Sequence, residues 1–342
     1  MYDDDGRPRR TGTWMVKTHL GGIKYQFCGL VQYADLVGIT IGYTITASIS
    51  MTAIKRSDCF HKNGHAIGIG LAIAKVAGGN HPKTGLTGTT IGVDVTSSEK
   101  MWNAFQSLGD MAFAYAFAVV LAEIQDTLKS SPTENQTMKK ASVVGVATTT
   151  LFYMACGVLG YAAFGNKAPG NLLTGFGFYE PFWLVDFANI FIVIHLVGAY
   201  QVFAQPVFGL VENKCKQCCP GSNFMAKEYS MAIPVFGTFR WNPFRMIWRT
   251  CYVVFTTVLA MLFPFFNSVL SLLGALAFWP LTVYFPVEMY IKRTGIPKFC
   301  PTWMGLKLLS GLCFIVSLLA AAGSIQGIIS DFKTFQPFKS VS

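Results

Sequence analysis

The sequence contains little charge. Asp, Glu, Lys and Arg make up 13% of its 342 residues, whereas roughly 25% is usual in soluble domains. A soluble chain of this length could bury a large core, but its surface would need more polar residues than these. Long stretches carry no charged residue, and the mean hydropathy is +0.43. The composition therefore excludes an ordinary soluble domain and predicts an integral membrane protein.

Sequence motifs of enzymes are also missing. The chain has no Walker motif, no nucleophile elbow, no HExxH zinc motif and no dinucleotide-binding fingerprint. Its nine cysteines fit neither a disulfide-rich secreted scaffold nor a clear metal site. The sequence CKQCC at 215–219 resembles half of a zinc site, but without a second cluster it favours coincidence or juxtamembrane palmitoylation. We therefore expect no enzymatic activity, no metal and no cofactor.

The excess of basic residues has a membrane explanation. The formal net charge is +10, which in a soluble protein would suggest nucleic acid. Here the basic residues lie between apolar runs, where they mark cytoplasmic loops and anionic lipid headgroups. The sequence thus predicts the lipid bilayer as a partner and no nucleic-acid partner.

The segment before the first apolar run is polar. Residues 1–10 are not followed by the apolar stretch of a cleavable signal peptide. We therefore expect 1–26 to form a cytoplasmic tail and the first spanning helix to direct insertion.

Seven charge-poor runs are long enough to cross a bilayer core, which needs about 20 apolar residues in helical form. The uncharged run 250–287 is too long for one helix, and PFFN at 264–267 divides it in two. The predicted spans of a transmembrane domain over 27–330 are 27–54, 102–125, 141–166, 183–211, 247–263, 268–290 and 306–330. A short apolar stub at 66–77 covers only about half a bilayer, and residues 331–342 form a predicted C-terminal tail.

Basic residues alternate between the connecting segments. They are frequent before the first span and after spans two, four and six, whereas the segment after span three has only Lys167 and the segment after span five has none. This alternation predicts a cytoplasmic N-terminus and an extracellular C-terminus. The basic segment after span one is the exception.

Asp35, Asp110 and His195 are titratable side chains inside predicted spans. The two aspartates lie near the predicted helix ends, where snorkelling to the interface explains them as well as a function does. His195 lies in the middle of its span. A neutral imidazole bonded to a neighbouring helix is the plainer interpretation, and a proton relay is the functional alternative.

The span 102–125 mixes small and aromatic residues between Gln106 and Phe117. Small residues permit close helix packing. Alternatively, a broken helix here would expose backbone amides and carbonyls to the ammonium and carboxylate groups of a substrate. The sequence favours neither interpretation over the other.

Five longer segments occur in order along the chain, namely DDDGRPRRTGT (3–13), AIKRSDCFH (53–61), EIQDT (123–127), PGNLLTGFG (169–177) and FWPLTVYFPVEMY (278–290). Together they resemble plant amino acid permeases of the amino acid/auxin permease family, within the amino acid–polyamine–organocation superfamily. The resemblance covers nearly the whole chain. It implies proton-coupled symport of amino acids at the plasma membrane. It also implies an all-α leucine-transporter-type fold of eleven helices, the first ten forming two inverted repeats.

The chain departs from the family pattern in two places. After TGTW at 11–14 it continues with MVKTHLGG at 15–22, which resembles the run before helix three, and a second jump falls near 64–66. The seven spans would then correspond to helices three and six to eleven of an incomplete inverted-repeat fold. Helices one, two, four and most of five would be missing.

In the family fold, substrate lies between broken helices one and six, flanked by helices three and eight. The resemblance therefore assigns half of a substrate site to span two, with a contribution from helix three. The candidate substrate-binding residues are Gly109, Asp110, Phe113, Ala114, Tyr115 and Tyr43, and His195 is the candidate proton relay.

Three functions remain open from the sequence. The leading hypothesis is a member of an amino acid transporter family that does not transport as this shortened chain. The second is a non-transporting regulator that pairs with full-length permeases. The third is a seven-helix receptor, whose usual orientation is opposite to the one predicted here.

Overall fold

The computed structural model describes residues 12–58, 75–77, 88–115, 117–125, 128, 133–168, 182–220, 222–233, 237–262 and 265–334. The first eleven residues of the predicted N-terminal tail, residues 66–74 of the predicted stub and residues 335–342 of the predicted C-terminal tail lie outside the described residues.

The described chain is mainly helical and contains one short hairpin. The helices are α1 Gly12–His19, α2 Gly22–Asp58, α3 Ser97–Ala114, α4 Ala118–Gln125, α5 Glu134–Phe164, α6 Phe182–Cys218, α7 Asn223–Ala226, α8 Pro243–Leu262, α9 Phe266–Ala277, α10 Phe285–Thr294 and α11 Pro301–Thr334. A 3₁₀ turn, Gly165–Lys167, follows α5, and a π-helical segment, Phe278–Tyr284, joins α9 to α10. Strands β1 Tyr229–Ile233 and β2 Gly237–Trp241 pair antiparallel. This is the predicted all-α polytopic class.

The region predicted as an N-terminal tail contains helical structure. α1 occupies Gly12–His19, and α2 already begins at Gly22. Val16 is buried in one cluster with Cys28 and Phe285. Packing of α1 against α2 and α10 therefore orders a segment whose polar composition predicts a tail.

The described residues contain six helices long and apolar enough to cross a membrane, against seven predicted spans. The difference lies in the predicted span 102–125. There the chain forms α3, whose 18 residues include Glu99, Lys100 and Asp110, and α4, which has only 8 residues. Neither piece is therefore both long and apolar enough to be a span. The broken helix therefore accounts for the one span missing from the count.

The core forms where α2 packs against α6 and α8. Leu36 of α2 is fully buried with Ala204, Phe208 and Tyr252. The hydroxyl groups of Thr40 and Tyr252 lie 2.8 Å apart inside this core. A buried polar pair of this kind satisfies both hydroxyl groups where no water is present, and it fixes the register of α2 on α8.

Glycines allow α3, α9 and α11 to approach closely. A Cβ on Gly109 of α3 would collide with the backbone of Ser271, and one on Gly274 of α9 would collide with the carbonyl oxygen of Gly109. On α11, Gly323 leaves no room for a Cβ beside the backbone amide of Gln106. The small residues of span two therefore do permit close helix packing.

Ion pairs connect the helix ends that the charge pattern predicts to face the cytoplasm. The carboxylate of Glu288 on α10 pairs with Lys24 of α2 and with Lys307 of α11. Glu212 near the end of α6 accepts two hydrogen bonds from the Arg249 guanidinium of α8, at 2.9 and 3.1 Å. These pairs place the charged helix ends at one edge of the bundle.

Candidate functional site

The break between α3 and α4 is the centre of the candidate site. α3 ends at Ala114, and Tyr115 leaves the helix with φ −111° and ψ 23°. α4 begins three residues later at Ala118. Both interpretations of the span 102–125 therefore apply: Gly109 packs against α9, and the helix is broken further along. Ala116 lies outside the described residues.

Backbone groups at the break have lost their helical partners. The Tyr115 amide donates back to the Ala112 carbonyl at 3.4 Å, and the Val120 amide donates to the Phe117 carbonyl at 3.2 Å. The Ala114 carbonyl accepts instead from the Tyr153 hydroxyl of α5 at 3.4 Å. The carbonyl end of one helix therefore adjoins the amide end of another, which suits ligands carrying both an ammonium and a carboxylate group.

Hydroxyl groups of α5 line one side of the break. The hydroxyls of Tyr115 and Thr150 lie 2.8 Å apart, and the Tyr115 ring contacts the Tyr153 ring edge-on at 5.8 Å. Sequence reasoning missed Thr150 and Tyr153. Their only signal is a group of polar side chains in the middle of an otherwise apolar, uncharged run.

Asp110 belongs to a polar cluster about one turn before the end of α3. Its carboxylate accepts a hydrogen bond from the Asn267 amide at 3.4 Å. In the same region the Gln106 amide donates to the Ser268 hydroxyl at 3.0 Å, and that hydroxyl donates to Asp331 at 2.6 Å. The structure therefore places Asp110 in a contact among α3, α9 and α11.

Two other predicted residues take different positions. The Phe113 amide lies against Gly274, within the α3–α9 packing. Tyr43 of α2 makes an edge-on ring contact with Phe203 of α6 at 5.6 Å. Of the candidate residues, the structure therefore brings Ala114 and Tyr115 to the break itself. The substrate-binding role of all six stays a prediction.

Asp35 occupies a position that the sequence did not predict. α2 begins at Gly22, so Asp35 lies about 20 Å along the helix instead of near its end, and snorkelling is the wrong explanation. Its side chain is 3% exposed, and neither carboxyl oxygen has a hydrogen-bond partner within the described chain. It is a buried carboxyl group in the middle of a membrane helix.

Helix register places Asp35 near the level of the break. Gly38, one turn further along α2, packs on Leu273 of α9, and the next residue of α9, Gly274, packs on Phe113 at the end of α3. Leu36 also shares a core cluster with Val120 of α4. The buried carboxyl and the break therefore belong to the same layer of the bundle.

His195, the predicted proton relay, lies elsewhere. It is exposed on α6, on the face opposite Ala204 and Phe208, which pack against α2 and α8. The structure does not bring it to the break.

Long apolar helices, together with one helix that is broken, define a polytopic membrane protein. Comparison with known sequences then gives the family. The model of the family described as "Transmembrane amino acid transporter protein" matches residues 64–330, and the chain belongs to this family. It is a helical integral membrane protein of an amino acid transporter family. The family membership favours the transporter hypothesis over the receptor.

Individual relatives are amino acid permeases of Arabidopsis thaliana. The chain is 53% identical to amino acid permease 1 and 54% identical to amino acid permease 6, with 97% of this chain and 79% of each relative covered. Identity to amino acid permease 2 is 49%, over 97% of this chain and 77% of the relative. No solved structure matches the chain.

The alignments also show that residues are missing inside the chain. The stretch aligned with amino acid permease 1 is 381 residues long, which exceeds the 342 residues of the whole chain. The relative therefore has internal residues without a counterpart here.

Proposed function

We propose that this chain retains the helix-six half of an amino acid site and does not complete transport by itself. In the family pattern, helix one supplies the other half, and it is among the helices expected to be missing here. The observation that carries the proposal is the low burial of α5, the helix that lines the break. Its most apolar window is only 6% buried within the chain, as expected of a helix whose neighbours in the complete fold are missing.

The proposed ligand class is an amino acid. Its ammonium group would meet carbonyl oxygens at the end of α3, and its carboxylate would meet amides at the start of α4. The hydroxyl groups of Tyr115, Thr150 and Tyr153 would add neutral hydrogen bonds. Gly109, Asp110, Phe113 and Tyr43 shape the neighbouring packing in this proposal.

In the proton-coupled mechanism that the family resemblance implies, Asp35 is a better proton carrier than His195. A carboxyl group buried without a partner is stable in its neutral, protonated form, because the ionised form would lose its hydration. The titratable side chains packed on this part of α2 from α6 and α8 are the phenols Tyr200 and Tyr252. Neither brings a positive charge that could stabilise an ionised carboxylate.

Uptake of a labelled amino acid tests the main proposal. Yeast lacking its own permeases would express the 342-residue chain, with amino acid permease 1 of Arabidopsis as the positive control and surface labelling as the measure of delivery. We expect uptake no higher than in vector-only cells at any external pH. Uptake that rises with expression of the chain and saturates with substrate would overturn the proposal.

A non-transporting regulator that pairs with longer permeases is the second candidate. It is favoured by the polar side chains of His195, Gln201 and Gln205, which are exposed on α6. In either case we propose a plasma-membrane protein with its N-terminus in the cytoplasm and its C-terminus outside. Protease protection of tags at the two ends in sealed vesicles tests that orientation, and digestion of an N-terminal tag from outside would contradict it.

A further inference from the structure

One face of α6 carries polar side chains without partners. His195, Gln201 and Gln205 are exposed, and none of them makes a hydrogen bond to another described residue. The opposite side of the helix is buried through Ala204 and Val207 against α2 and α8, and Gln201 lies on the flank between the two sides. The three polar residues, together with Gly198 between them, are called here the polar face of α6.

The polar face lies at the depth of the hydrocarbon core. Glu212 marks the inner boundary, because it pairs with Arg249 at 2.9 Å and with Arg245 at 3.2 Å. Along the helix, Gln205, Gln201 and His195 lie about 10, 16 and 26 Å from Glu212. A core about 30 Å thick contains all three.

Lipid is a poor neighbour for these groups. An amide or imidazole in hydrocarbon without a hydrogen bond costs several kcal/mol. Membrane helices therefore turn such residues towards other helices, where amide and imidazole groups bond across the interface. The chemistry of the polar face indicates a protein neighbour that offers hydrogen-bonding groups.

A glycine within the polar face leaves room for such a neighbour. In the packed helices a Cβ on Gly42, Gly109 or Gly274 would collide with a neighbouring helix. A Cβ on Gly198 in the polar face, or on Gly145 of α5, would meet nothing within 4 Å. Glycine in a membrane helix permits close helix approach, yet at these positions no helix of this chain approaches.

We propose that the polar face of α6 is the contact surface for a membrane helix of a longer amino acid permease of the same family. This inference rests on the proposed absence of family helices from the chain. Relatives such as amino acid permease 1 contain internal residues that this chain lacks, since the aligned stretch of 381 residues exceeds the chain length of 342. A second copy of this chain lacks the same residues, so the partner is a longer family member.

Co-purification from yeast tests the assignment. The full 342-residue chain and amino acid permease 1 would carry different tags, and the amount of permease recovered with the chain would be measured in mild detergent. Gly198→Leu adds a large side chain in the polar face, where the structure of this chain has free space. We expect it to lower recovery about fivefold or more, since it blocks close helix approach.

The matched control is Gly311→Leu on α11. Gly311 is also exposed, and a Cβ there would also meet nothing within 4 Å, so both variants gain the same side chain on a free helix surface. We expect Gly311→Leu to keep wild-type recovery. A second variant, Gln201→Leu with Gln205→Leu, removes hydrogen-bonding groups without adding bulk at Gly198, and we expect it to lower recovery as well.

Several outcomes would overturn the assignment. They are the absence of wild-type co-purification, equal recovery with Gly198→Leu and Gly311→Leu, and recovery of a second copy of the chain at a yield equal to that of the longer permease. The uptake experiment answers a different question. Transport by the chain alone would remove the proposed lack of function, whereas loss of co-purification removes only the contact surface.

Discussion

The hydroxyl groups of Tyr115 and Thr150 lie 2.8 Å apart. Tyr115 belongs to the break after α3, and Thr150 lies near the middle of α5. Because the described part of α5 is so little buried, this bond is a main polar connection between α5 and the candidate site.

Removing either hydroxyl group is expected to loosen this connection. Tyr115→Phe and Thr150→Val should each lower the thermal midpoint of the purified protein in detergent. Their double-mutant cycle should give a coupling free energy of about 0.6 kcal/mol, the average for hydrogen bonds between membrane helices. Tyr161→Phe, which breaks a local bond to Asn166 at 2.9 Å, is the control. A coupling of zero between Tyr115 and Thr150 would contradict the connection.

Gly109→Ala and Gly145→Ala form a matched pair of substitutions. At Gly109 the added methyl group meets the backbone of Ser271, whereas at Gly145 it meets nothing within 4 Å. We expect Gly109→Ala to cost about 1–3 kcal/mol in overpacking. Gly145→Ala should be neutral or stabilise by up to about 1 kcal/mol through helix propensity. Thermal unfolding measures both, and equal effects would show that α3 and α9 are not in close contact.

Asp35→Asn is expected to leave the fold intact, since the amide has the shape of the carboxyl group and no charge. It should also remove a protonated-carboxyl C=O stretch from the infrared spectrum of the protein in lipid at neutral pH. Asp110→Asn is the control, because the Asp110 carboxylate has a hydrogen bond from Asn267. A C=O band unchanged in Asp35→Asn would show that Asp35 is not the protonated group.

The start of α3 should respond to acid. The carboxylate of Glu99 accepts hydrogen bonds from the Thr96 backbone amide at 2.8 Å and from the Thr96 hydroxyl at 2.9 Å. These two bonds favour the ionised carboxylate, and the bond from the backbone amide has the larger effect. They hold the pKa of Glu99 below its ordinary value. A carboxyl group whose pKa is lower in the folded state adds stability above its unfolded pKa and loses it as pH falls through the folded value.

Glu99→Gln is therefore expected to lower the thermal midpoint at pH 7, and its difference from the wild type should shrink below about pH 4. Thr96→Ala removes the N-cap and should cost about 1 kcal/mol at pH 7. A Glu99→Gln difference that stays undiminished as the pH is lowered from about 4 to about 2 would contradict the role of the ionised carboxylate.

Much of the fold could be predicted because hydropathy reports directly on bilayer spans. Helices occupy all seven predicted regions. The first long helix begins at Gly22, earlier than the predicted start at 27, and this difference changes the interpretation of Asp35. Lys24 ends the uncharged run there, so the sequence suggests a helix that begins after it. In the structure Lys24 lies inside α2 and pairs with Glu288 at 3.6 Å, a contact between distant parts of the chain that no local pattern predicts.

The candidate site was predicted less completely. The family resemblance indicated Ala114 and Tyr115, but Thr150 and Tyr153 lie at the break only through the packing of α5 beside it. His195 attracted attention as an ionisable residue in an apolar run. The position of α2 and α8 decides whether His195 faces the core or the outside of the bundle, and this position depends on tertiary packing that the local sequence does not reveal.

The uncovered polar face of α6 also bears on how much of the protein a cell contains. A partner that binds only the folded chain stabilises it by mass action, and an unassembled membrane helix with exposed His195, Gln201 and Gln205 is open to chaperones and proteases. Changes of about 1–2 kcal/mol in such a balance alter abundance severalfold. The steady-state amount of this chain would then rise and fall with the amount of its longer relative.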